Sequence, residues 1–78
     1  MHPIGEIAVE LKEQPCLSLG NYSSDSPPKE FAIHIDPAPD PGAIVTEIIS
    51  LEAHKGYELI LYIANYGNKV VNAKVWQL

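Results

Sequence analysis

Two segments near the C-terminus decide the fold: Tyr57-Glu58-Leu59-Ile60-Leu61-Tyr62-Ile63-Ala64 and Val70-Val71-Asn72-Ala73-Lys74-Val75-Trp76-Gln77-Leu78. They bracket Asn65-Tyr66-Gly67-Asn68-Lys69. Successive side chains of an extended chain point to opposite faces. Leu59, Leu61 and Ile63 therefore share one face, as do Val71, Ala73 and Val75, and these six can fill a core. Asn and Gly tolerate positive φ, so a short hairpin is expected between the two strands.

The other face of this pair is not polar either. It holds Ile60, Tyr62, Val70 and Trp76 among Glu58, Ala64, Asn72, Lys74 and Leu78. A strand with one wet face alternates cleanly, whereas a strand covered on both sides does not. A two-layer fold has no third layer to cover such a stripe, and Tyr and Trp are enriched at interface hot spots. Ile60, Tyr62, Val70 and Trp76 are thus the expected partner interface. The competing reading folds a loop over the stripe, either the proline segment 36–42 or the N-terminal arm.

Working outward, four more extended segments follow from alternation. Ile7, Val9 and Leu11 alternate with Ala8, Glu10 and Lys12, and Pro15 ends that run. Leu17 and Leu19 alternate with Ser18 and Gly20. Asn21–Pro28 is rich in residues that favour turns and reads as a loop. Phe31, Ile33 and Ile35 alternate with Ala32, His34 and Asp36. Residues 36–42, with Pro37, Pro39 and Pro41, read as a stiff polyproline-like crossover. Ala43–Ala53 is rich in β-branched Ile, Val and Thr and reads as strand, with a helical turn or two as the alternative. The total is an all-β domain of about six strands, a small antiparallel sandwich or a partly open barrel. It spans 1–78 as one domain, with a short extended arm at 1–5.

Leu59-x-Leu61-x-Ile63-x-Asn65-x-Gly67 followed by Val71-x-Ala73-x-Val75 resembles the final strand-turn-strand of many bacterial and viral immunoglobulin-like modules. The resemblance covers residues 59–75. It implies an immunoglobulin-like β-sandwich and a binding or assembly role, since such modules seldom carry catalysis. The Cys and Trp framework of antibody domains is absent.

Composition narrows the function. The 78 residues carry a formal net charge of -5, and the five basic side chains are Lys12, Lys29, Lys55, Lys69 and Lys74. A chain without Arg and without a cationic cluster is a poor ligand for nucleic acid or for an anionic membrane surface. One cysteine, Cys16, forbids an internal disulfide. Small domains without disulfides or metals commonly reach stability by oligomerising or by docking on a larger body. No basic-apolar leader is read in Met1–Glu6, and no span long enough for a membrane helix occurs.

Cys16 sits in an apolar run without a spaced base, and reads as a small buried hydrophobe. His2, His34 and His54 lack paired ligand spacing, so no metal is expected, and His34 should face solvent. No nucleophile elbow, phosphate loop or carboxylate pair in a cleft is visible. Glu6, Glu10 and Glu13 read as a charged edge that discourages sheet-to-sheet pairing. The expectation is a non-enzymatic interaction or assembly module without cofactor, a homo-oligomer or a subunit of a larger structure. The alternative is a small acidic inhibitor or ligand-sequestering protein, using Glu6, Glu10, Glu13, Asp36 and Asp40 against a basic site on its target.

Overall fold

A computed structural model describes residues 1–25 and 29–78. Every regular element among them is a strand: β1 (His2–Val9), β2 (Cys16–Tyr22), β3 (Phe31–Asp36), β4 (Ile44–Ala53), β5 (Gly56–Asn65) and β6 (Val71–Gln77). They form two three-stranded antiparallel sheets, sheet A in the order β1-β6-β3 and sheet B in the order β2-β5-β4. The six expected strands are present, and the segment 43–53 is strand from Ile44 to Ala53 rather than helix. Part of the expected loop at 21–28 departs from expectation, because Asn21 and Tyr22 belong to β2; positions 26–28 lie outside the described residues.

The inner faces of the two sheets meet in one core. Val9, Leu19, Leu59, Leu61, Ile63, Val71, Ala73 and Val75 are its buried members. All six residues assigned to the core from the C-terminal segments are there. Full burial of a Val, Leu or Ile side chain contributes about 1.5–3 kcal/mol before conformational entropy is subtracted. Phe31, Ile33, Ile35, Ile7 and Ile44 pack around the rim.

The expected hairpin does not form. β5 lies between β2 and β4, while β6 lies between β1 and β3. Residues 66–70 carry the chain from one sheet to the other. β5 carries apolar residues on both faces as the central strand of its sheet, whereas the outer face of β6 carries Asn72 and Lys74 beside Trp76. A central strand is flanked on both edges as well as packed from one side, so burial reaches further round it. The pattern expected of one two-sided hairpin belongs instead to two strands in separate sheets.

Asn65 makes this crossover possible. It is the one buried polar residue among the described residues, 2% exposed. Its Nδ2 donates to the Val9 carbonyl at 3.1 Å and to the Lys69 carbonyl at 3.0 Å. Its Oδ1 accepts from the Gly67 N–H at 2.9 Å. The Asn65 backbone carbonyl accepts from the Lys12 N–H at 3.2 Å, and the Tyr66 N–H donates to the Ala43 carbonyl at 2.7 Å. The end of β5 is thereby tied to β1 of the opposite sheet and to the loops after β1 and β3.

The N-terminal half differs from expectation at two points. Residues 2–5 are not a separate arm, because they form the start of β1 and pair with β6 across a bulge between Pro3 and Gly5. The strand also ends at Val9 instead of continuing to Lys12. Leu11 is 41% exposed and Lys12 adopts φ 63° in the following turn. The proline segment is not uniformly polyproline-like. It contains a cis Asp36–Pro37 peptide and a turn closed by the Ala43 N–H on the Asp40 carbonyl at 3.0 Å.

The other end of sheet B closes through aromatic stacking and a close backbone approach. Tyr22 and Tyr57 stack with centroids 5.3 Å apart, and the Tyr22 hydroxyl lies 2.8 Å from the Ser50 hydroxyl. Lys29 Nζ sits 5.7 Å from the Tyr22 ring centroid and donates to the Asn21 carbonyl. A Cβ on Gly56 would stand 2.5 Å from the Tyr22 carbonyl oxygen.

Two stability outcomes follow. Asn65→Asp removes both donors and points a carboxylate at two carbonyls, so it should cost about 2–4 kcal/mol. Asn68→Asp, in the same loop but exposed, should change stability by less than about 0.5 kcal/mol. Urea unfolding of the two variants checks the difference. Gly56→Ala should cost about 1–3 kcal/mol through overpacking against the Tyr22 backbone, read in the same assay.

Candidate docking surface

Strand register assigns every side chain to a face. In sheet B, Leu59, Leu61 and Ile63 point into the core, so Glu58, Ile60, Tyr62 and Ala64 point outward. Their partners place Cys16 beside Tyr62 and Ser18 beside Ile60 on one flank. On the other flank, Val45 lies beside Ala64, Glu47 beside Tyr62, Ile49 beside Ile60 and Leu51 beside Glu58. The outer face of sheet B is therefore an apolar field of Val45, Ile49, Leu51, Ile60 and Tyr62. Val45 is 51% exposed and Leu51 47% exposed. Ile49, Ile60 and Tyr62 are half-buried, because they cover one another. Glu47 and Glu58 interrupt the field, and Ser18 Oγ donates to Glu58 at 3.2 Å.

Trp76 lies on the other side of the molecule. Val75 points into the core, so Trp76 belongs to the outer face of sheet A, opposite Pro3 and Ala32. It is half-buried and lines a shallow groove of ≈ 250 Å³ with Pro3, Ile4, Gly5, Glu6 and Lys74. Val70 precedes β6 in the crossover loop and is 45% exposed. The expected single stripe of Ile60, Tyr62, Val70 and Trp76 is therefore divided. Its first two members face away from sheet B, Trp76 faces away from sheet A, and Val70 sits at the end of the sandwich. The division follows from placing β5 and β6 in different sheets.

The acidic residues are likewise distributed. Glu6 stands on the outer face of sheet A, where Lys74 Nζ lies 3.7 Å away and Asn72 Nδ2 donates to it at 3.0 Å. Asp36 is on the same face at the end of β3, in register with Asn72. Glu10 and Glu13 occupy the turn after β1, where the Glu13 N–H donates to the Glu10 carbonyl. Asp40 sits in the loop after β3. β1 does form an edge of sheet A, and Glu6 lies on it, but Glu10 and Glu13 lie beyond its end.

Cys16 is exposed, contrary to the expectation of a buried hydrophobe. It shares the outward parity of Ser18, while Leu17 and Leu19 take the inner positions of β2. His34 is exposed as expected, on the outer face of sheet A in register with Lys74. Among the described residues, no three His, Cys, Asp or Glu side chains gather closely enough to hold a metal ion. No helix there is long and apolar enough to cross a membrane.

The outer apolar residues of β4 escaped the sequence reading. Val45, Ile49 and Leu51 lie at one parity, and Ile44 and Ile48 at the other. The two-sided pattern applied to Tyr57–Leu78 was equally present in Ile44–Leu51, and would have marked this strand too.

Comparison of the chain with protein-family models, with curated proteins and with solved structures returns no match.

The placement of Cys16 gives a direct check. In dilute native protein its alkylation by iodoacetamide should proceed within about threefold of the rate in denaturant, as for an accessible thiol. A native rate slower by about a hundredfold would put the side chain inside the sandwich instead.

Proposed function

We propose that this protein is a non-enzymatic assembly module that docks on other protein through the outer face of sheet B. The observation that carries the reading is the apolar field of Val45, Ile49, Leu51, Ile60 and Tyr62, on a sheet over which the described residues place no further layer. Its composition supports the reading: a Tyr at the centre, aliphatic neighbours, and charge confined to Glu47 and Glu58. Trp76 and its groove form a smaller, separate surface.

Strand order supports an immunoglobulin-like relationship within this reading. Immunoglobulin-like sandwiches place strands B, E and D side by side, and strands C, F and G side by side. With β2 to β6 taken as B to F, β2-β5-β4 reproduces B-E-D and β3-β6 reproduces C-F. β1 then occupies the free edge of β6, where strand G would stand. Modules of this architecture serve mainly as binding and assembly units, an argument by analogy of fold.

Light scattering after gel filtration, over a tenfold concentration range, tests the docking face. The wild type should rise above the 8.6 kDa of one chain. Ile60→Lys should lower that mass, because a charge at the centre of a docking face is costly to desolvate. Trp76→Ala should leave it unchanged. A mass that responds to Trp76→Ala and not to Ile60→Lys would move the docking surface to sheet A.

A further inference from the structure

We infer that the free edge of β4 pairs antiparallel with β4 of a second copy, joining two B sheets into one six-stranded sheet. This goes beyond docking through the outer face, since it uses backbone at the sheet margin rather than side chains on its surface.

The four sheet edges are not alike. Exposed strand edges present unpaired N–H and C=O groups, and proteins protect them with prolines, bulges, charges or short length. β1 carries Pro3, Glu6 and a bulge between Pro3 and Gly5. β2 carries a bulge between Ser18 and Gly20, where Gly20 takes φ 101°. β3 is six residues long and runs directly into Pro37. β4 has no proline, no bulge and no shortness to protect it, and the charges it carries are Glu47 and Glu52. It is ten residues long, and its register against β5 runs from Ile44 to Ala53 without a break. It contains no proline, glycine or lysine.

The faces of β4 are also unfinished on both sides. Ile48 is in register with buried Leu61, so it points toward the inner side of sheet B, yet it is 45% exposed. Thr46 and Ser50, at the same parity, are exposed as well. The sheets come closest where β1 meets β2 and β5, and of the hydrophobic residues of β4 Ile44 alone packs against the core among the described residues. Val45 and Leu51 are open on the outer side.

Self-pairing completes this strand in a way that its own sequence matches. A two-fold axis at Ile48 sets Ile48 against Ile48 of the second copy. Val45 then pairs with Leu51 and Thr46 with Ser50, each twice. Glu47 falls opposite Ile49, and Glu52 opposite Ile44, so no glutamate directly opposes another. The same register brings the His54–Lys55 turn of each copy beside the Asp40–Gly42 turn of the other. Lys55 and Asp40 supply opposite charges at both ends of the seam. Centring the pair on Glu47 would instead oppose two carboxylates, which is unfavourable. The occupant that fits this edge is therefore a second copy of the chain.

Cross-linking through an engineered cysteine tests the register, with Cys16→Ser removing the native thiol. Under mild oxidation, Cys16→Ser/Ile48→Cys should form a covalent dimer about tenfold faster than Cys16→Ser/Thr46→Cys, because directly opposed residues approach disulfide distance and staggered ones do not. Adding Ile60→Lys should leave that cross-link intact, which separates edge pairing from docking through the outer face. Cross-linking through Ile60→Cys or Ile49→Cys without Ile48→Cys would show face-to-face stacking and overturn the edge pair, while the docking face would stand. A wild-type mass of one chain over the whole concentration range would overturn the edge pair as well.

Discussion

The side chain of Asn65 is the constraint on which the arrangement of this domain depends. β5 ends at the core, and its chain must leave one sheet and enter the other within a few residues. Such a crossover strands backbone carbonyls in a dry region, and an unpaired buried carbonyl costs as much as a lost hydrogen bond. Asn65 supplies two donors to the Val9 and Lys69 carbonyls and one acceptor to the Gly67 N–H. No other side chain of that size offers both functions in one planar group. The bond to Val9 reaches the opposite sheet, so the same amide that closes the loop also fixes how the two sheets meet.

With the sheets held there, the distribution of surface follows. β5 and β6 become central strands and provide most of the core. β1, β2 and β3 become edges, and each is interrupted by a bulge, a proline or its own shortness. β4 receives no interruption, and beyond Ile44 its apolar side chains stay outside the core. Its apolar side chains continue the outer face set by Ile60 and Tyr62, and its margin remains open. The place of β4 at the end of sheet B thus puts an apolar outer face and an uninterrupted edge on one side of the molecule.

Much of this was legible locally. Alternation along Phe31–Ile35, Leu59–Ile63 and Val71–Val75 identified strands and the residues that point inward, because a strand's period of two is a property of the chain itself. The preference of β-branched side chains for extended backbone favoured strand in Ala43–Ala53, and the structure decided it as strand from Ile44 to Ala53. The interface was only half legible. Ile60 and Tyr62 lie on an outer apolar face, but Trp76 lies on the opposite one. Cys16 was read from the hydrophobic tendency of its residue type, whereas its parity in β2 turns it outward. In each case the side-chain direction within a strand was correct or recoverable, and the neighbouring strand was not.

The amino-acid sequence alone determined the class, the number of strands, the core residues of β5 and β6, and the acidic balance of charge. These depend on residue type and on spacing along one chain. Only the tertiary structure decided which strands pair, that residues 66–70 cross between sheets, and that β4 is the open margin. Pairing depends on contacts between residues far apart in sequence, and a short Asn-Gly-rich connection serves a hairpin and a crossover equally well. The choice between them lay in whether the amide of Asn65 found its partners within one sheet or, as it does through Val9, across two.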